Sequence, residues 1–131
     1  MELPEYFFRT RENGAFVFRV ENDARQRRLD MDQIAVVNIR NGEVKPHGDR
    51  VLSVGDKAAI AEWMRDRRAV LAARDIDDIH RAVDFLHATS YWVQSKATDD
   101  EIDSVTDALL LAMHDLRGVL VRKKADRLGR A

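Results

Sequence analysis

Up to about Pro46 apolar and polar residues alternate, and beyond it the apolar residues recur every three or four positions. A period of two marks a half-buried strand and a period near 3.6 an amphipathic helix, so the chain reads as a β half followed by an α half. Residues 6–11 and 15–20 are rich in aromatic and β-branched side chains and flank Asn13-Gly14; residues 34–39 and 43–45 flank Asn41-Gly42. Asn-Gly supplies the positive φ angles of a two-residue hairpin turn. With Asn13 and Gly14 as the loop, Arg11 faces Phe16, Arg9 faces Phe18 and Phe7 faces Val20, and in the second hairpin Arg40 faces Glu43. The 34–39 run is apolar on both faces and reads as the most central strand. Pro46, which has no N–H for the ladder, ends the fourth strand. Charge-dense residues 21–32 read as a connecting loop. The prediction is a four-strand antiparallel β-meander.

The second half predicts three helices. Ser53-x-x-Asp56 is a capping box that opens the first, which carries Ile60, Trp63, Met64, Val70 and Leu71. Asp75 reads as the cap of a second, with Ile76, Ile79, Val83, Leu86 and Val93 on its apolar side. Thr98 caps a third, where Asp99, Asp100 and Glu101 in the first turn suit the positive end of the helix dipole. Its stripe of Ile102, Val105, Leu109, Met113, Leu116 and Leu120 is widened by Leu110 and Leu111 beyond what one neighbouring helix covers. Gly118 sits inside it at a cost of ~1 kcal/mol relative to alanine, which marks a close helix contact or a fray point. The expected architecture is α+β, with a meander lobe over residues 1–50 and a three-helix lobe over 51–131 forming one cooperative domain. The last two helices make a long antiparallel hairpin, and the surplus stripe serves a homodimer.

Composition narrows the function. The 131 residues carry 22 Lys and Arg against 23 Asp and Glu, so uniform positive charge does not drive nucleic-acid binding and any such site must be a local patch. The absence of cysteine excludes disulfides, thiolate catalysis and cysteine-ligated zinc, and fits a reducing cytoplasm. No apolar run reaches the ~20 residues of a membrane span, and the acidic Met1–Glu5 segment lacks the order of a signal peptide. Phosphate-loop, dinucleotide-binding, nucleophile-elbow and zinc-protease motifs are all missing. The reading that follows is a cytoplasmic, non-enzymatic interaction or regulatory module, self-associating or with a protein partner, and with no cofactor.

Three sets of residues carry the possible chemistry. His80, Asp84 and His87 share one helix face and Asp107 and His114 another; facing each other across a helix pair, they would suit a divalent metal or a metal-dependent hydrolase. Arg9, Arg11, Phe16 and Phe18 interleave cations and rings on one hairpin face, and Arg27 and Arg28 extend the patch, a pattern that suits single-stranded nucleic acid. Leu110 and Leu111, with Tyr91 and Trp92 near the end of the second helix, are the candidate protein interface. Plainer roles compete with each: a solvated face, a sheet core with arginines at its rim, and aromatics plugging one end of the helical lobe.

Overall fold

Alternation over the first half yields four strands, β1 (Tyr6–Arg11), β2 (Gly14–Asp23), β3 (Arg28–Asn38) and β4 (Val44–Pro46), in one antiparallel sheet of order β1-β2-β3-β4. Two helices follow, α1 (Val54–Ser95) and α2 (Asp99–Gly129). The computed structural model describes residues 3–23 and 28–130. The chain divides into two compact units, residues 1–77 and 78–131, with the boundary inside α1.

Both hairpins differ from the expected register by two residues. Arg11 pairs with Gly14, Arg9 with Phe16 and Phe7 with Phe18, so the first loop is Glu12-Asn13 and Gly14 belongs to β2. Gly14 is not among the glycines with positive φ. Glycine is needed there because a Cβ would overlap the Val37 carbonyl oxygen of the adjacent strand. In the second hairpin Val37 pairs with Val44, which leaves Ile39–Glu43 as the loop and abolishes the expected Arg40–Glu43 pair. Gly42 does take positive φ (75°), while the Asn38 and Asn41 side chains accept backbone N–H groups of the turn. Side-chain period in a strand is two, so a two-residue shift keeps every residue on its expected face.

Residues 21–32 are not wholly a loop, because β2 runs to Asp23 and β3 starts at Arg28. Leu29, Met31 and Gln33 alternate with Asp30 and Asp32, and this short period-two pattern is what the density of charge obscures. The register shifts between Val17 and Phe18: Val17 pairs with Ala35 and Phe18 with Gln33, so Ile34 is the extra residue of a bulge. Ile34 and Ala35 are consequently both buried.

The start of α1 covers one face of the sheet. Val17, Ile34, Ala35, Val37, Leu52, Ile60 and Met64 form the core, and the Phe8 and Trp63 rings stack beside it at 5.0 Å and 2°. The expected break at Asp75 is absent, and α1 is one helix of 42 residues. A capping aspartate acts only where the backbone leaves helical φ/ψ, and residues 69–78 hold alanines and leucine with neither glycine nor proline to make that happen. Thr98 caps α2 as expected: its hydroxyl accepts the Glu101 N–H at 3.2 Å and the Glu101 carboxylate accepts the Thr98 N–H at 2.9 Å.

Candidate functional site

Three features of the structure bear on function, and the first is a polar node inside unit 1. Asp56 lies at the third position of α1, 5% exposed, beneath the sheet. Its carboxylate accepts the Tyr6 hydroxyl at 2.6 Å, the Arg19 guanidinium at 2.9 Å and the Ser53 N–H at 2.9 Å. The Asp56 N–H in turn donates to Ser53 Oγ at 3.0 Å, completing a capping box. Burial pushes the Asp56 carboxyl up, but hydrogen bonds from Tyr6 and Ser53 and the nearby Arg19 charge outweigh it and hold the group below 3.8. The Tyr6 phenol is raised above 10.0, chiefly by its bond to Asp56 and by burial. These three donors are all internal, so the node ties β1 and β2 to α1.

These shifts set a pH window. Asp56 is depressed in the folded state, so its contribution is full above about 3.8 and is lost as pH falls through the lower folded value. Tyr6 is raised, so its contribution is full below about 10.0 and is lost as pH climbs past that point. Thermal melts across pH are expected to give a plateau with acid and alkaline shoulders, both reduced in Tyr6→Phe; shoulders unchanged in that variant would contradict the assignment.

The second feature is the sheet face turned away from α1. Phe7, Arg9 and Arg11 from β1 lie beside Phe16 and Phe18 from β2. The Arg9 guanidinium stands 4.8 Å over the Phe18 ring, that of Arg11 4.5 Å over Phe16, and the Phe7 and Phe18 rings are 6.1 Å apart. Phe18 is buried under this layer, whereas Phe7, Leu29 and Met31 are exposed. Four residues proposed from the sequence, Arg9, Arg11, Phe16 and Phe18, thus meet on one face. Arg27 and the side chain of Arg28 lie outside the described residues.

The third feature is unit 2. Close to the turn, Thr89, Val105 and Leu109 line two shallow apolar grooves, one completed by Phe85, Trp92 and Ala108 and the other by Leu86, Val93 and Met113. From residue 78 to 130 no residue is buried, and from Leu110 to Arg130 every one is exposed. Leu110 is 60% exposed and Leu111 70%; Tyr91 is also exposed, with the Lys96 ammonium 5.8 Å from its ring, while Trp92 is half-buried in its groove. Periodicity identifies these apolar positions, but it does not tell which of them lack a neighbour. Ile76, Ile79, Val83, Leu116 and Leu120 are exposed as well.

His80, Asp84, His87, Asp107 and His114 are all exposed, and among the described residues no group of three His, Asp or Glu side chains is arranged to hold a metal ion. Nor, among those residues, is any helix long and apolar enough to cross a membrane. Sequence reasoning missed the Tyr6–Arg19–Asp56 node. Its signal was Arg19, a cation on the inward side of an otherwise apolar alternation, opposite a helix whose first turn buries an acid. No protein-family model matches the chain, and no curated protein and no solved structure matches it.

Proposed function

We propose that this chain is a non-enzymatic interaction module that self-associates through residues 78–130. The observation that carries the reading is that this helical segment buries no residue while leaving Phe85, Leu110, Leu111, Leu116, Leu120 and Leu128 exposed. Helices in water owe most of their stability to packing of an apolar face, and this many exposed large apolar side chains on a helical segment favour an interaction role. The segment has an Arg81–Asp78 ion pair three residues apart on α1 itself. Its serine and threonine hydroxyls at 89, 90 and 106 bond to carbonyls of their own helices.

Sedimentation and light scattering of the full chain between micromolar and ~100 µM are expected to give a dimer or larger assembly, with a melting temperature that rises with concentration by mass action. A monomer throughout, with a concentration-independent melt, overturns the proposal.

A second reading is favoured by the guanidinium–ring pairs on the open sheet face, which suit stacking of bases and contact with phosphates. It predicts low-salt binding of a single-stranded oligonucleotide that weakens steeply with added salt and is lost in Arg9→Ala, Arg11→Ala. Absence of binding at low salt removes it.

A further inference from the structure

We infer that the partner of α2 is α2 of a second copy, laid antiparallel across a two-fold axis near His114. The inference rests on the self-association proposed above and specifies its geometry. The first argument is charge. The first half of α2 carries Asp99, Asp100, Glu101, Asp103 and Asp107 with no lysine or arginine. The second half carries Arg117, Arg122, Lys123, Lys124 and Arg127 against Asp115 and Asp126. A parallel pair sets acid beside acid and base beside base, and like charges across a close interface oppose association. An antiparallel pair sets the acidic half of each copy beside the basic half of the other. The midpoint of Asp99–Gly129 is residue 114. A two-fold axis there makes the contact isologous and closed, as a homodimer requires.

Helical spacing supplies the second argument. Leu110, His114, Gly118, Val121, Ala125 and Leu128 follow at intervals of four, four, three, four and three, so they share one side of α2, with Leu111 at its border. The acids Asp103 and Asp107 continue the same side toward the N-terminus, while Arg117 and Lys124 flank it, within reach of a partner's acids. Leu110, Leu111, Val121 and Leu128 are 60%, 70%, 53% and 70% exposed.

The third argument is Gly118. Its φ is helical rather than positive, and a Cβ added to it would meet nothing within 4 Å. Among the described residues no contact calls for glycine there, yet glycine in a helix interior is unfavourable. A second helix passing close to the surface explains it, because small residues let two backbones approach.

The chain has no cysteine, so single cysteines report position without interference. His114→Cys, Asp103→Cys and Lys124→Cys are prepared in the full chain and treated with a short bis-maleimide. At 1.5 Å per residue, two antiparallel helices centred on residue 114 put their positions 103 about 33 Å apart, whereas a parallel pair puts them side by side. The expected result is a cross-linked dimer for His114→Cys alone and none for Asp103→Cys alone. A mixture of Asp103→Cys and Lys124→Cys chains is expected to give a heterodimer more readily than either alone. Self-cross-linking of Asp103→Cys overturns the antiparallel arrangement, and so does a sample that sediments as a dimer in which neither His114→Cys nor the mixture cross-links. Wild-type chain that sediments as a monomer instead overturns the self-association on which the inference rests, so the two failures are distinguishable.

Discussion

Asp56→Ala is expected to destabilise the sheet-containing unit by about 3 kcal/mol, the largest effect of any single surface-accessible or polar substitution in it. The carboxylate serves three separated elements: Tyr6 on β1, Arg19 on β2 and the Ser53 N–H at the start of α1. Alanine leaves all three donors without their acceptor beneath the sheet. An unsatisfied buried donor costs about 1–3 kcal/mol. Loss of a cap side chain adds ~1 kcal/mol. The Arg19 side chain is 39% exposed, so its ion pair adds little after solvent screening. Its Nε is buried and already lacks a partner among the described residues. For a domain of this size each kcal/mol moves the melting point by ~4–8 °C, which puts the expected drop at roughly 12–24 °C. Trp63 stacks on Phe8 within this unit, and its fluorescence in a Trp92→Phe background follows the transition. Tyr6→Phe removes one donor together with its hydroxyl and is expected to cost only about 1 kcal/mol. A drop in Asp56→Ala no larger than that of Tyr6→Phe would show that the node is not what fastens α1 to the sheet.

How much of this was legible beforehand varies with the physics involved. The change from strand to helix after Pro46 is legible because side-chain burial imposes a period of two on strands and 3.6 on helices, and both appear in the sequence. The grouping of Phe7, Arg9, Arg11, Phe16 and Phe18 is legible for the same reason, and it survives a wrong turn assignment because the error is two residues. Gly14 misleads because glycine has two uses. The Asn-Gly pair suggests positive φ, whereas here glycine answers the approach of the Val37 carbonyl, a contact made only after β3 has paired. Asp75 misleads because the same residue type caps helices and decorates their surfaces, and only a departure from helical backbone separates the two roles. What periodicity leaves open is coverage. The stripe on α2 reads identically whether its neighbour is α1 or another molecule, and only the exposure of residues 110–130 distinguishes them.

That exposure gives Leu110→Gln, Leu111→Gln a distinctive expected outcome, the dissociation of the assembly without loss of helix. Glutamine and leucine have similar helix propensities, so the double change leaves the intrinsic preference of α2 nearly as it was. Each leucine loses ~1.5–3 kcal/mol of burial on association. Two-fold symmetry applies the change to both copies, so four side chains are altered and the loss is about 6 kcal/mol or more. By the tenfold-per-1.4 kcal/mol rule this raises Kd by about four orders of magnitude. Such a shift converts a micromolar dimer into a monomer at any practical concentration. Sedimentation gives the mass and far-ultraviolet circular dichroism at high concentration gives the helix content. If both leucines instead packed on α1 of their own chain, the variant would keep its mass behaviour and lose helical signal on heating at a lower temperature. The two explanations therefore diverge in one pair of measurements. An unchanged Kd would place the interface on a different side of α2 from Leu110 and Leu111, which the most exposed leucines of the helix do not favour.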